Sequence, residues 1–270
     1  DNFEQALINL GYDLVLDDSV LTSSIDTVVS LNLNLNTNIN NIFGIEDFSA
    51  LEGLYIAGNQ ITNINLSQNI NLKNLNAANN QLTYIDLSNN TLLEYVSIHN
   101  NQLNSINISN NPNLIFLWCD NNQLNSINTS SLLSLEELRC NNNLITNLDI
   151  SFNTNLSLLF CEDNNLNTLD LRNGYNINLE DSFLWVRNNP NLNCISVDSV
   201  NWSNLWWTQF IDPQHYFSDS CSPTSINEQT KKKKLLKITD LLSRQTERKK
   251  NQPLFYIYDD GTVEKRITID

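Results

Sequence analysis

The sequence predicts a solenoid of short parallel β-strands, and three observations lead to this fold class. Leucine recurs every 21 residues from Leu51 to Leu156, through six units without an insertion or a deletion. Within each unit, aliphatic and polar residues alternate over a short segment, as they do along a strand with one buried face. An asparagine follows each of these segments at a constant distance. Periods of about 20 to 50 residues are typical of stacked units that bury their aliphatic side chains against their neighbours.

The recurring positions supply the predicted core and the predicted turns. Three positions after each starting leucine stands an aliphatic residue, and five positions after it stands isoleucine, alanine or cysteine. Leucine or isoleucine returns at ten and thirteen positions. The asparagine at eight positions lies where the chain leaves the strand, and its amide can satisfy backbone groups that would otherwise be unpaired. This asparagine column comprises Asn59, Asn80, Asn101, Asn122, Asn143 and Asn164, with Asn189 in a last, irregular repeat.

Written as a consensus, the repeat is LxxLxCxxNxLxxLxLxxN, and in this form it resembles the leucine-rich-repeat family. The match covers about half of the chain without a gap. The resemblance implies a leucine-rich-repeat solenoid whose strands form one concave sheet. It also implies that the asparagine column is a structural ladder rather than a ligand site.

The N-terminal end of the solenoid carries irregular sequence that predicts a cap, which covers the open end of a stack of repeats. Residues 1–28 form this cap, with a helix that ends at Gly11. The apolar residues of the helix recur at helical spacing: Phe3, Ala6, Leu7 and Leu10. The repeats occupy residues 29–193 and begin with a degenerate unit whose core is Leu31, Leu33, Ile39, Ile42, Ile45 and Phe48.

The C-terminal end of the solenoid is predicted to be closed in the same way. The last, irregular repeat is built on Leu184, Val186, Asn189 and Leu192. Residues 194–222, from Cys194 onward, are the predicted C-terminal cap. This segment is rich in aromatic residues: Trp202, Trp206, Trp207, Phe210, Tyr216 and Phe217.

Beyond the cap the composition changes abruptly. Residues 224–270 hold 11 of the 15 basic residues and 7 of the 30 acidic ones, so this tail is +4 and residues 1–223 are −19, from 4 basic and 23 acidic residues. A linker at 223–233, with the Lys231–Lys234 run, precedes a β-rich module at 234–270. The module contains three strand-like runs, Leu235–Leu242, Leu254–Tyr258 and Val263–Ile269, and an Asp260-Gly261 turn predicts a hairpin between the last two.

The tail segments LLKITDLLSR and PLFYIYDDGTVEKR, followed by a terminal hairpin, resemble the C-terminal sorting signals of type IX secretion in Bacteroidota. The resemblance implies export by the type IX machinery and a protein that is secreted or held on the outer-membrane surface, with the tail cleaved or used for attachment. The chain begins at Asp1 and contains no Met. We therefore expect a processed form or a fragment, from which a signal peptide is absent.

The five cysteines fall into two groups. Cys119, Cys140 and Cys161 share one inward repeat position and are expected to pack as small hydrophobic residues. A zinc site is the alternative, but zinc prefers four ligands and no fourth ligand type recurs nearby. Cys194 and Cys221 bracket the C-terminal cap. Because leucine-rich-repeat caps are often closed by disulfides, the resemblance implies a Cys194–Cys221 bond, which export would permit.

The outward strand positions carry the predicted ligand-binding face. Aromatic side chains gather there, and exposed aromatic clusters are typical of contact sites. The alternative is that the rings only stabilise the sheet through cross-strand pairs. The candidate binding residues are Tyr55, Tyr95, His99, Phe116, Trp118, Arg139, Phe160 and Trp185, with Trp118 at the expected centre.

Several function classes are not supported. The acidic solenoid would repel nucleic acid, and the Lys231–Lys234 run is better explained as a solvated linker. No apolar run approaches the roughly 18 residues of a membrane span. His99 and His215 are far apart in the repeat order, and no motif for catalysis, metal or cofactor binding is present. The sequence therefore predicts a non-catalytic module that binds an extracellular protein or polysaccharide; the alternative is a spacer protein of the cell envelope without a specific ligand.

Overall fold

The computed structural model describes residues 2–34, 38–179, 183–221, 235–239, 246, 253–258 and 263–267. The chain divides into two compact units, Asp1–Cys221 and Ser222–Asp270. The linker predicted at 223–233, its Lys231–Lys234 run and the Asp260-Gly261 turn lie outside the described residues.

A parallel sheet runs through the first unit and confirms the predicted solenoid. Within the described residues it has eight strands, and we call it the long sheet. The strands are Ser30–Asn32, Gly53–Tyr55, Asn74–Asn76, Tyr95–Ser97, Phe116–Trp118, Glu137–Arg139, Leu158–Phe160 and Leu184–Trp185. One inward aliphatic side chain per strand is in register with the next, as in Leu117 beside Leu138 and Leu138 beside Leu159. These side chains are fully buried, so each repeat supplies the core of its neighbour.

The return halves of several repeats form shorter stretches of sheet. One of these sheets has four parallel strands: Asn147–Asp149, Thr168–Asp170, Cys194–Ser196 and Tyr216–Ser218. Another has two parallel strands, Ile85–Asp86 and Ile106–Asn107. Short 3₁₀ turns occur at Ile45–Asp47, Asn176–Asn178 and Thr208–Phe210. The recurring aliphatic positions of these segments, such as Leu82, Leu103 and Leu124, are fully buried between the long sheet and the return strands.

A helix at Asn2–Leu10 covers the N-terminal end, as predicted, and a second helix spans Thr22–Ile25. Phe3, Ala6 and Leu7 are buried in the same core cluster as the first repeat. Leu10, the last residue of the helix, is instead 45% exposed and does not belong to the buried stripe. Gly11 follows at φ +79°, a left-handed conformation that glycine adopts without steric cost at the end of a helix.

The C-terminal end is closed by a helix at Val200–Trp206, which Ser199 caps by accepting a hydrogen bond from the backbone N–H of Trp202. Trp207 is fully buried and packs edge-on against Trp202, with 5.0 Å between ring centroids. A disulfide joins Cys194 to Cys221, as the family resemblance implied. Within this aromatic-rich cap, Trp206 and Tyr216 are 46% and 57% exposed. Trp207 and Phe217 are buried and supply its core.

The second unit contains an antiparallel sheet. Its described strands are Leu235–Thr239, Pro253–Tyr258 and Val263–Ile267, with the middle strand in sequence also central in the sheet. The last two strands pair in antiparallel register, as in a hairpin. Among the described residues of the whole chain, no helix has the length and apolar character that crossing a membrane requires.

After the long-sheet strands from Gly53–Tyr55 onward, two neighbouring residues have different roles. The first residue has a positive φ, close to 53° in Asn100, Asn121 and Asn142. Asparagine tolerates this left-handed conformation better than most residues do. The second residue is the predicted ladder asparagine: Asn143 Nδ2 donates to the carbonyls of Cys119 and Cys140, and its Oδ1 accepts from Leu124 N at 2.9 Å. The ladder side chains therefore link successive repeats through their backbones.

A second asparagine column lies in the return half of the repeat, at the last asparagine of the consensus. Asn90 Nδ2 donates to the carbonyls of Leu66 and Asn69, at 2.9 Å in each case. Asn69, Asn111 and Asn153 make equivalent bonds and are likewise fully buried. Leu132 occupies this position in one repeat, and in that repeat Thr129 Oγ1 donates to the carbonyl of Asp149 in the following repeat. Both edges of the repeat are thus held by side-chain to backbone hydrogen bonds.

Candidate functional site

The candidate site is the solvent side of the long sheet. Strand pleating alternates side chains, so the first and third residues of a strand point away from the core that buries the second. Tyr95 and Phe116 are first residues of their strands, and Trp118 and Phe160 are third residues. The candidate residues at these positions are half-buried rather than open to water, and Trp185 is the most exposed at 40%. The rings cover one another, as the cross-strand alternative expected.

The aromatic side chains form a continuous row across neighbouring strands. Tyr95 lies 4.4 Å from Phe116 and 6.0 Å from Trp118, measured between ring centroids. Farther along the sheet, Phe160 lies 6.2 Å from Trp185. The Arg139 guanidinium connects the two groups because it lies over both Trp118 and Phe160. We call this set the aromatic row: Tyr95, Phe116, Trp118, Arg139, Phe160, Trp185 and Phe210.

Phe210 extends the row from the C-terminal cap. Its ring centroid lies 6.0 Å from that of Trp185. The sequence placed Phe210 in the C-terminal cap and not on the binding face, because it stands outside the 21-residue register and gives no periodic signal. The row spans five strands of the long sheet, from the Tyr95 strand to the Trp185 strand. At about 4.8 Å between strands it is roughly 19 Å long.

A polar network fixes the centre of the row. The Trp118 indole Nε1 donates to Glu137 Oε2 at 3.2 Å, and the same carboxylate oxygen lies 3.7 Å from the Arg139 guanidinium. The Arg139 carbon lies 4.4 Å from the Trp118 ring centroid and 5.4 Å from that of Phe160. The Arg139 Nε is buried without a hydrogen-bond partner in the described part of the chain. The centre therefore holds a fixed indole together with an unused donor.

Two of the candidate residues lie outside this row. Tyr55 is two strands away from Tyr95, beyond the Asn74–Asn76 strand, and its ring covers Gly53. A Cβ at position 53 would approach the Tyr55 ring to 3.0 Å, so glycine leaves room for the ring. His99 follows the Tyr95–Ser97 strand, and its Nδ1 lies 3.0 Å from Ser97 Oγ. The structure thus brings six of the eight candidate residues together and leaves these two at the side.

Carboxylates lie on both sides of the aromatic row. Glu94 and Glu136 are exposed just before their strands, and Asp120, Glu162 and Asp163 follow the strands on the other side. Burial raises the pKa of the Glu162 carboxyl, and the nearby Asp163 and Asp120 charges raise it further. Glu162 Oε2 is buried and makes no hydrogen bond to any described residue. The sequence did not single out these carboxylates as part of a site, because acidic residues are frequent throughout the solenoid.

The three repeat cysteines stack in the interior, behind the candidate site. Cys119, Cys140 and Cys161 are fully buried with free thiols, which is the environment of small hydrophobic side chains. Burial raises the pKa of each thiol, and the adjacent Cys140 raises the pKa of Cys119 and Cys161 further. The thiols therefore stay protonated and unreactive near neutral pH.

Comparison with solved structures identifies the architecture. The functional domain of InlJ from Listeria monocytogenes, which includes a cysteine ladder, is 28% identical, with a TM-score of 0.57 over 73% of this chain and 50% of that chain. A leucine-rich-repeat protein of Leptospira interrogans is 20% identical, with a TM-score of 0.55 over 74% of this chain and 51% of that chain. The fold is a leucine-rich-repeat fold.

This leucine-rich-repeat fold is also similar to that of YopM, a leucine-rich effector protein from Yersinia pestis. The identity is 24% and the TM-score is 0.51, over 71% of this chain and 50% of that chain. The chain spans about half the length of the three structures compared. No family model and no curated protein matches the sequence. The column of Cys119, Cys140 and Cys161 gives this leucine-rich-repeat chain three stacked thiols of its own.

Proposed function

We propose that this chain is a non-catalytic recognition module whose long sheet, the concave face of a leucine-rich-repeat solenoid, binds a protein outside the cell. The observation that carries the proposal is the aromatic row. Large aromatic side chains and arginine supply most of the binding energy in protein interfaces. Here they are joined across five strands, over roughly 19 Å, which suits an extended or helical segment of a partner.

The fixed side-chain positions within the row support a role in recognition, beyond stabilisation of the sheet. Trp118 is held by Glu137 and Arg139 before any partner arrives, so little conformational entropy remains to be lost on binding. The buried Arg139 Nε has no protein partner among the described residues, and burial of an unpaired donor is costly. A ligand oxygen would satisfy it once the Arg139 side chain moves to expose this atom. A spacer protein would gain nothing from leaving this donor unpaired.

A polysaccharide is the second class of partner that the row suits, because aromatic rings also stack on sugars. A protein is favoured because of the leucine-rich-repeat fold and because the row carries charged groups at its centre. No function in catalysis is proposed, since the histidines are used locally: His99 contacts Ser97, and His215 is buried, with its Nδ1 accepting a hydrogen bond from Asp212 N.

The proposed location is the cell exterior, reached through type IX secretion, with the protein secreted or retained on the outer-membrane surface. The Cys194–Cys221 disulfide supports an oxidising compartment. The resemblance of the tail to type IX sorting signals supports the route. In this proposal the units are an N-terminal cap at 1–28, repeats at 29–193, a C-terminal cap at 194–222, a linker at 223–233 and a sorting module at 234–270.

Cell fractionation tests the location. An antibody to the repeats would follow the protein through cytoplasm, periplasm, outer membrane and medium of the producing cells, together with the mass of its C-terminus. We expect the protein at the surface or in the medium; removal of the residues beyond about 224 would show that the tail is a cleaved sorting signal. An intact protein confined to the cytoplasm would overturn both export and the sorting module.

Photocrosslinking tests the binding face. A benzoylphenylalanine placed at Tyr95, in the row, should capture a protein from the medium or the cell surface, whereas the same residue at Tyr84 should not. Tyr84 is an exposed aromatic outside the long sheet and is therefore a matched control. The captured protein should bind Trp118→Ala at least ~10-fold more weakly, with unchanged circular dichroism. Equal capture at both positions, or none at either, would favour the spacer alternative.

A further inference from the structure

Charge on the long sheet is distributed unevenly around the aromatic row. The cations of the face are already engaged: Lys73 Nζ lies 2.9 Å from Glu52, Arg139 lies 3.7 Å from Glu137, and Arg187 donates to the Gln209 carbonyl. The carboxylates on the two flanks form no ion pair with any described residue. They are Glu94 and Glu136 on one flank, and Asp120, Glu162 and Asp163 on the other. The row is therefore a mainly aromatic strip between two lines of carboxylates that form no ion pair with the described residues.

Carboxylates repel one another on the flank that follows the strands, where Asp120, Glu162 and Asp163 lie. Glu162 and Asp120 stand at the same repeat position, two repeats apart, on the solvent side of the sheet, and Asp163 follows Glu162 directly. The Asp163 and Asp120 charges disfavour the ionised form of Glu162, which is one reason why the pKa of Glu162 is raised. The buried Glu162 Oε2 has no donor among the described residues. A cation placed beside these three carboxylates would relieve the repulsion.

We infer that the partner of the long sheet is a basic polypeptide segment, with apolar side chains that lie on the aromatic row and lysine or arginine side chains that reach the flanking carboxylates. This inference rests on the proposed function and names the chemistry of its partner. Charge complementarity supports it: residues 1–223 are −19, from 4 basic and 23 acidic residues, and carboxylates that form no ion pair with the described residues border the aromatic row. Opposite potentials across an interface speed association and exclude acidic competitors.

The arrangement also predicts where in the segment the cations stand. Outward residues of one strand are two positions apart, so Glu162 follows Phe160 on the same face. In the partner segment, the residue whose side chain covers Phe160 should therefore stand close in sequence to a lysine or arginine that contacts Glu162. The same relation links Trp118 to Asp120. A segment with a basic residue about every third position beside an apolar one satisfies both contacts.

Fluorescence polarisation with synthetic peptides tests the inference on the full chain. The probe is a labelled peptide of four Lys-Leu-Ser triplets, and its matched control replaces every lysine with glutamate. The lysine peptide should bind and lose affinity as salt rises, because exposed charge pairs are screened. The glutamate peptide should show no binding at the same concentrations. Equal binding of the two peptides, or no binding of the lysine peptide, would overturn the inference.

A pair of charge-removing variants locates the contact. Asp120→Asn with Glu162→Gln should weaken the lysine peptide at least ~5-fold, since each carboxylate contributes one partly exposed ion pair. The matched control is Asp86→Asn with Asp149→Asn, which removes the same charge from the return strands. Asparagine keeps the turn there: Asn107 and Asn128 stand at the same repeat position and accept the same hydrogen bond from the residue two positions on. This control should change affinity less than ~2-fold.

Trp118→Ala separates the inference from the proposed function. Loss of peptide binding in both Trp118→Ala and the Asp120/Glu162 variant, but not in the control, supports both. If Trp118→Ala weakens binding while the Asp120/Glu162 variant equals the control, the long sheet still binds polypeptide and only the basic partner is overturned. If neither variant changes the binding of the lysine peptide, the peptide binds elsewhere, and the inference fails for this face.

Discussion

The guanidinium carbon of Arg139 lies 4.4 Å above the ring of Trp118, and the Glu137 carboxylate contacts both side chains. Tryptophan is the ring that binds cations best, and a neighbouring carboxylate holds the cation in place. The three residues come from two adjacent strands, Phe116–Trp118 and Glu137–Arg139. The long sheet therefore positions the centre of its aromatic row without help from a ligand.

Removal of the Arg139 side chain should disturb this centre measurably. Arg139→Ala loses the cation–π contact and the ion pair, so the free energy of unfolding should fall by about 1 kcal/mol. The Trp118 ring becomes more exposed, so its fluorescence emission should shift to the red. The shift is assigned to Trp118 if it is absent when Arg139→Ala is made in a Trp118→Phe chain. Arg172→Ala serves as the control because Arg172 pairs with Asp170 on a return strand. An unchanged spectrum in Arg139→Ala would show that the guanidinium does not cover the ring in solution.

The neighbouring residues Asn142 and Asn143 should respond in opposite ways to substitution. Asn143→Ala leaves Leu124 N and three carbonyls without their side-chain partner, which should cost about 1–3 kcal/mol. Asn142→Gly should be tolerated within about 0.5 kcal/mol, because Gly58 already occupies this left-handed position at φ +72° in an earlier repeat. Asn142→Val should cost about 1–2 kcal/mol. Urea unfolding measures all three, and equal losses at both positions would contradict the division of tasks.

The three stacked thiols should make stability depend on pH above neutrality. Burial raises the pKa of Cys119, Cys140 and Cys161 in the folded state above the ordinary value of 9.0. The unfolded chain then releases protons that the folded chain keeps. The contribution of the protonated thiols to the free energy of unfolding is therefore fully present below about pH 9. Above that pH the free energy of unfolding falls, by up to about 1.4 kcal/mol per pH unit for each thiol.

Urea unfolding at about pH 8 and about pH 10 measures this loss. The control is the triple variant Cys119→Ala, Cys140→Ala and Cys161→Ala, which is chemically reasonable because Ala77 occupies the same repeat position. The variant should lose less stability between the two pH values than the unsubstituted chain. An equal loss would mean that tyrosine or lysine titration, and not the thiol column, sets the alkaline response.

Reduction of the Cys194–Cys221 disulfide should loosen the C-terminal cap. The bond closes a loop with a sequence separation of 27 residues, and its loss should cost about 3 kcal/mol through the unfolded chain. Thermal unfolding with and without reductant measures the change. The double variant Cys194→Ser with Cys221→Ser should unfold like the reduced chain and ignore the reductant. A peptide map without reductant that finds both thiols free would contradict the bond.

Much of the fold could be predicted because the contacts of a solenoid repeat with the sequence. Leu117 contacts Leu138 and Leu138 contacts Leu159 for the same reason, so the 21-residue period places every inward side chain at once. The departures lie where the period ends. Leu10 has the helical spacing of the buried residues Phe3, Ala6 and Leu7 but is exposed, because the spacing of a terminal helix does not state how far its apolar face packs against the first repeat.

By itself, then, the sequence determined the number and phase of the repeats, the buried column and the ladder asparagines, since each depends only on position within a unit. Tertiary structure decided which outward side chains meet. Arg139 lies over Trp118 and Phe160, and Phe210 reaches Trp185 from the cap, through rotamers and chain turns that no period specifies. It also decided that Asn142, beside the predicted ladder residue Asn143, takes the left-handed conformation that turns the chain. Adjacent identical residues differ only in their backbone angles and in the carbonyl groups within their reach.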